Sequence, residues 1–194
     1  GALRRGGVDW NALEAAALGA KVVVIEKGIR PGGASVITGT IPSKSLRETV
    51  KHVELMAANE ISGISINLDR KLTIRELMHH KNNVISERVG DIIDTYKDNG
   101  IDYIFGKARF VSSNELVVDC TGKDDTETVK AKKFIIAVGT NPYHPPDVEF
   151  DGKYILDSDS ILQLNEIPET LAVIGGGVIG CEYATIFSRL GTKV

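Results

Sequence analysis

The stretch "LAVIGGGVIGCEYATIFSRLGTKV", residues 171–194, decides the fold. Leu171 to Ile174 form a short apolar run of the kind that makes a buried strand. Gly175, Gly177 and Gly180 follow at GxGxxG spacing, and helix-forming sequence continues from Val178. In such a turn the first glycine permits the tight bend and the second lets the backbone approach a pyrophosphate. The third lets the helix pack closely on the sheet, while the helix N-terminus turns its N–H groups to the phosphates. Three glycines alone are a weak pattern; between a strand and a helix they read as a dinucleotide-binding turn. Gly175, Gly177, Val178, Ile179 and Gly180 are therefore candidate cofactor-binding residues. The acidic or basic residue that chooses between NAD and NADP does not occur before Val194.

Working outward, "SRLGTKV" at 188–194 echoes "AAALGAKVVVIEK" at 15–27: in each, a helix end passes through Leu-Gly into a strand start. Residues 11–20 are rich in helix formers and stop at Leu18-Gly19. Val22 to Ile25 predict a fully buried parallel strand, so this region is the back half of a βαβ unit. Glu26 ends that strand, where an acid takes ribose hydroxyls. Glycines of a matching loop belong near positions 3, 5 and 8, but Leu3, Arg5 and Val8 stand there, and Gly1, Gly6 and Gly7 do not restore the pattern.

The next segment, "PGGASVITGTIPSK" at 31–44, reads as a loop running into a helix. Gly32-Gly33 can lie close to a flat ligand, and Lys44 falls in the first turn of a helix predicted over 43–58. A loop at 59–72 leads to Thr73-x-x-Glu76, a capping box opening a long helix. Its apolar stripe runs through Leu77, Val84, Ile85, Val89, Ile92 and Tyr96, and it stops at Asn99-Gly100. His79 and His80 are adjacent and point to different faces, which disfavours metal binding. From 101 the period changes to two, predicting a small antiparallel set with a turn at Gly122-Lys123-Asp124-Asp125. Residues 131–142 predict a buried strand ending in a glycine turn, and 143–168 a connector with one short helix.

Hydrophobic residues make up 42% of the 194 and charged residues 25%, enough for a sizeable core. The net charge of −3 gives no nucleic-acid footprint, and the apolar runs fall far short of a membrane span. Cys120 and Cys181 form no CxxC pattern, and a cytoplasmic location is expected. The sequence begins at Gly1 and reaches Val194 inside a fresh structural unit, so a portion of a longer protein is expected.

These motifs, in this order and spacing from about residue 12 to 194, resemble the flavin-dependent pyridine nucleotide-disulfide oxidoreductases. That family includes dihydrolipoamide dehydrogenase, glutathione reductase and mercuric reductase. The resemblance implies an α/β fold of Rossmann type, binding FAD and NAD(P), with a small antiparallel insertion. It implies an FAD-binding domain over 1–150, its first strand and glycine loop missing or scrambled, and the start of an NAD(P)-binding domain over 151–194. The family loop usually reads GGxCxxxxCIPSK. Here Ser35 and Thr40 stand at the cysteine positions. A hydroxyl neither forms a disulfide nor ionises near neutral pH, so thiol–disulfide chemistry is disfavoured.

The soluble pyridine nucleotide transhydrogenase branch looks similar, with GTIPSK, and its members exchange hydride between NADH and NADPH through FAD without a cysteine. By this resemblance Glu26 and Lys27 lie at the FAD ribose. Gly32, Gly33, Ala34 and Ser35 line the pyrophosphate and flavin, with Thr40 and Lys44 near the ring. Gly106 and Ala108 lie near the adenine, and Ala137, Val138, Gly139 and Thr140 close over the FAD. Gly175 to Gly180 bind the nicotinamide dinucleotide, with Glu182 towards the nicotinamide. FAD is the implied cofactor and NAD(H) and NADP(H) the substrates; the full-length parent is expected to be a homo-oligomer, with no nucleic-acid, membrane or metal partner. Two alternatives stay open: a dihydrolipoamide dehydrogenase-like or mercuric reductase-like enzyme with cysteines supplied elsewhere, and an inactive truncated fragment. The 194 residues alone are expected neither to hold FAD tightly nor to turn over.

Overall fold

The computed structural model describes residues 8–28, 30–58, 73–122 and 125–194. The positions Leu3 and Arg5, the loop 59–72 and the turn residues Lys123 and Asp124 lie outside the described residues. The chain divides into two compact units that interleave in sequence: 1–35 with 87–140, and 36–86 with 141–194.

The first unit is built on a mixed four-stranded sheet, β1 (Val23–Glu26), β2 (Asp102–Ser112), β3 (Glu115–Cys120) and β4 (Thr126–Lys130), in that spatial order. β1 and β2 are parallel, with Val24 opposite Tyr103 and Glu26 opposite Phe105. β2, β3 and β4 form an antiparallel meander, as the period of two predicts. Helix α1 (Val8–Ala17) and the end of α4 (Ile74–Asp98) cover the β1 region. Ala12, Val24, Tyr96 and Ile101 form the core there.

Three helices end alike. Gly19, Gly100 and Gly191 take φ of 83°, 63° and 92°. In each case the glycine N–H bonds the carbonyl three residues back and the next N–H the carbonyl five back, as in Ala20 to Ala15 (3.0 Å), Ile101 to Tyr96 (2.9 Å) and Thr192 to Phe187 (3.0 Å). Only glycine enters that left-handed position without steric cost, which is why it stops the helix and turns the chain. The echo between 15–27 and 188–194 is thus a shared backbone geometry.

The second unit is helical. Helix α3 (Thr40–Ala58) and α5 (Val178–Arg189) pack through Leu46, Val50, Tyr183, Ile186 and Phe187. The first half of α4 adds Ile74 and Leu77 to the same core. Its capping box is closed: the Thr73 N–H donates to Glu76 Oε2 (3.0 Å) and the Glu76 N–H to Thr73 Oγ1 (3.3 Å). The connector holds one short 3-10 helix, Ser160–Gln163. The buried Lys81 of α4 donates to its Leu162 carbonyl at 2.7 Å.

The structure departs from the sequence reading in four places. Residues 131–142 are not a buried strand: they join no sheet among the described residues, and Ile135 and Ile136 are exposed. Residues 171–174 likewise form no strand; Ile174 is fully exposed, and the segment keeps only an isolated parallel bridge, Thr170 to Lys193. In β1 only Val24 is buried, not the whole run. All three have one cause. A strand is defined by its neighbours, and among the described residues these segments lack one on at least one side. The fourth lies in 31–44, where the loop is itself partly helical: α2 spans Gly33–Ile37, and α3 starts at Thr40 with Pro42 in its first turn, where a missing N–H costs nothing.

Candidate functional site

In the second unit the site grows from α5. Gly175 bends the chain at φ 105°. Gly177 is the N-cap of α5 and supplies no side-chain cap, so the first-turn N–H groups remain for an external acceptor. A Cβ at Gly177 meets nothing within 4 Å, whereas one at Gly180 falls 2.7 Å from the Gly175 carbonyl oxygen and 3.1 Å from Val173 Cγ1. The three glycines therefore divide their work as the motif requires: bend, open approach and close packing. Val178 and Ile179 lie exposed beside them. This cradle fits the pyrophosphate of a dinucleotide.

Glu182 follows on the same helix. Its Oε1 accepts from Lys44 Nζ at 2.7 Å and its Oε2 from Ser43 Oγ at 3.1 Å, so both oxygens are held from the start of α3. At the far ends, Arg189 of α5 donates to Glu54 of α3 at 2.5 Å. The two helices thus run in the same direction, and their N-termini, Thr40 to Lys44 and Gly177 to Glu182, lie together. The Glu182 side chain is 14% exposed and that of Lys44 51%, so the carboxylate is sheltered while the ammonium faces outward. Behind them Tyr183 is buried and donates to the Ser158 carbonyl at 3.2 Å. Burial, with the Glu182 and Asp159 charges, pushes its phenol above the usual range.

In the first unit Glu26 ends β1, and its Oε1 accepts the Gly28 N–H at 2.8 Å. Its other oxygen has no hydrogen-bond partner among the described residues, which fits a ribose hydroxyl donor. Lys27 is exposed beside it. Gly106 follows Phe105, the partner of Glu26; a Cβ there would fall 2.6 Å from both the Asp119 carbonyl oxygen and Val118 Cγ1, so β2 packs on β3 without room for a side chain. Ala108 stands opposite Val118. Ala137 to Thr140 are exposed around Gly139, which turns at φ 71°. Gly32 and Gly33 have positive φ, and Gly33, Ala34 and Ser35 are exposed on α2. Cys120 and Cys181 are free thiols, and neither belongs to the 31–44 segment.

Two groups escaped the sequence reading. Ser43 was placed only at a helix entrance, since its link to Glu182 spans 139 positions. Asp157 was placed only in the connector. Its Oδ1 accepts the Asp159 and Ser160 N–H groups and the Ser160 hydroxyl at 2.7 to 3.0 Å, and its Oδ2 faces His144 Nε2 at 2.7 Å. The His144 ring stacks on Phe150 at 3.9 Å. The Asp-x-x-Ser pattern at 157–160 is the local signal that could have revealed this turn.

The chain is similar to known proteins along most of its length. The family model described as pyridine nucleotide-disulphide oxidoreductase matches residues 6–194. A soluble pyridine nucleotide transhydrogenase of Mycobacterium bovis (strain BCG / Pasteur 1173P2) is 40% identical over 183 residues, covering 94% of this chain and 39% of that protein. One of Escherichia coli O9:H4 (strain HS) is 40% identical over 176 residues, covering 91% and 37%. The HOCl-induced flavoprotein disulfide reductase RclA from Escherichia coli superposes with a TM-score of 0.75 at 26% identity, over 95% of this chain and 38% of its own. LpdA from Mycobacterium tuberculosis, at 22% identity and a TM-score of 0.81, shares the fold over 95% of this chain and 40% of its own. The chain spans about two fifths of the length of the curated relatives it matches.

Proposed function

The chain belongs to the pyridine nucleotide-disulphide oxidoreductase family, and from that premise we propose that it contributes to FAD-dependent hydride exchange between NADH and NADP(H). In this reading 1–150 serves FAD and 151–194 opens the NAD(P) domain. The observation that carries it is the thiol-free segment 31–44. The exposed Ser35 and Thr40 stand where a disulfide reductase needs its redox pair, and Lys44 at the end of the segment is locked to Glu182 instead. Chemistry passing only through a flavin needs no thiol.

FAD, when bound, supplies the acceptance and release of hydride. The residues supply the rest. The α5 N-terminus takes the nicotinamide nucleotide's pyrophosphate over Gly177. Glu26 takes ribose hydroxyls, with Lys27 beside it, and Gly106 and Ala108 border the adenine. Gly32, Gly33, Ala34 and Ser35 line the flavin nucleotide, and Ala137, Val138, Gly139 and Thr140 close over it. Thr40 and Lys44 would lie beside the ring, where the half-exposed ammonium would offset negative charge. Glu182 holds Lys44 in place from the nicotinamide side. Pyridine nucleotides are the small-molecule partners, a homo-oligomer is the expected assembly and the cytoplasm the expected location. Among the described residues no helix is long and apolar enough to cross a membrane.

The test is an assay of the flavin-loaded protein, expressed with whatever coding sequence flanks these 194 residues, with NADPH and a thio-analogue of NAD, run beside dihydrolipoamide and disulfide substrates. Nucleotide exchange without dithiol turnover is the expected result. Dithiol turnover without nucleotide exchange would refute the reading and point to cysteines supplied elsewhere, which thiol titration would count.

A further inference from the structure

We propose that Ser43 is a positioning residue: its hydroxyl fixes the orientation of the Glu182 carboxylate and, through it, the place of the Lys44 ammonium. The inference rests on the reading above, in which Lys44 and Glu182 border the flavin and the nicotinamide.

A lysine–glutamate pair with a half-exposed ammonium is ordinarily mobile, because two long side chains lose entropy to hold one geometry. Here the carboxylate has a second tether. Ser43 is 4% exposed, and its Oγ lies 3.1 Å from Glu182 Oε2 and 3.4 Å from the Thr40 carbonyl oxygen. The hydroxyl has one proton for two acceptors. It goes to the nearer and charged one, since hydrogen bonds to an ionised acceptor are the stronger. Glu182 therefore receives one donor on each oxygen, from successive residues of α3, and the plane of its carboxylate is set. Its backbone is set as well, because Tyr183 is buried next to it and bonds Ser158. Lys44 spends one N–H on Glu182 and directs its remaining donors to the open side. A buried hydroxyl that restrains a carboxylate which restrains an ammonium is preorganisation by a supporting residue.

The test uses the flavin-loaded protein, expressed with whatever coding sequence flanks these 194 residues, and compares Ser43→Ala, Ser43→Thr and Glu182→Gln by flavin midpoint potential and by nucleotide-exchange kinetics. Glu182→Gln removes the charge that balances Lys44, so the reduced flavin is stabilised and the potential moves positive. Ser43→Ala is expected to move it in the same direction by a smaller amount. It should also lower kcat about tenfold while changing KM for either nucleotide less than about twofold, the mark of an interaction realised in the transition state. Ser43→Thr keeps the hydroxyl and is expected to behave as the parent. If Glu182→Gln shifts the potential and Ser43→Ala does not, Ser43 has no positioning role. If Ser43→Ala and Ser43→Thr shift it equally, the role is packing and the proposal falls. A potential unmoved by Glu182→Gln would instead overturn the placement of the pair beside the flavin, and this inference with it.

Discussion

At the scale of single residues, two glycines in helices separate function of the turn from mere tolerance. A Cβ at Gly180 would lie 2.7 Å from the Gly175 carbonyl oxygen, while one at Gly90 meets nothing within 4 Å. Gly180→Ala should therefore destabilise by about 1–3 kcal/mol despite alanine's better helix propensity, and Gly90→Ala should stabilise by up to about 1 kcal/mol. Thermal melts of the two variants check this; equal shifts would show that the turn gives way. The carboxylate of Asp157 invites a pH test. Desolvation pushes it up, but the Ser160 N–H and hydroxyl, His144 and the Asp159 N–H together outweigh that and hold it well below the usual carboxylate range. A carboxyl lowered on folding contributes stability above its unfolded value of about 3.9, and that contribution is lost as pH falls from there towards the lowered folded value. Asp157→Asn should accordingly melt below the parent at pH 7, with the gap closing as pH falls below about 4. A gap independent of pH would mean that the ionised form matters nothing to the fold.

Elements were legible in the sequence wherever their cause is local. The capping box at Thr73 and Glu76, the glycine stops at Gly19 and Gly100, and the stripe through Leu77, Ile85 and Tyr96 all depend on neighbours within one or two turns, and all stand as read. That 134–138 and 171–174 form no strand was not legible, because apolar content says only that a segment wants cover, whereas a strand needs partners on its edges. The pairing of α3 with α5 was equally hidden, since Lys44 and Glu182 are 138 positions apart. Along that pair the apolar seam should dominate. Arg189→Ala removes an ion pair whose side chains are 41% and 42% exposed, so unfolding in urea should show a loss of no more than about 1 kcal/mol. Phe187→Ala, at a residue 1% exposed, should cost about 3–5 kcal/mol. A larger loss at Arg189 than at Phe187 would reverse this order and make the ion pair the organising contact.

At the scale of the whole molecule, the candidate sites fall in both units. The glycine cradle and the Ser43, Lys44 and Glu182 cluster belong to the helical unit, and Glu26 and Gly106 to the sheet. What the 194 residues do by themselves turns on the segment Phe134 to Val138. Phe134 packs edge-on against Phe110, but Ile135, Ile136 and Val138 are 62%, 72% and 82% exposed. No backbone hydrogen bond joins the segment to a strand among the described residues. An apolar run of that composition facing water contributes nothing to stability and leaves the backbone around Ala137 to Thr140, proposed above to close over the flavin, without a frame. In the isolated chain, hydrogen exchange should therefore leave peptides covering 133–140 unprotected, at the rate of an unstructured peptide. Peptides from β3, whose Val118 is fully buried, should stay protected in the same sample. The same preparation should be colourless after gel filtration with added FAD. Protection over 133–140 together with retained yellow flavin would show that this chain completes its own sheet, and would overturn the expectation that it does not hold FAD alone.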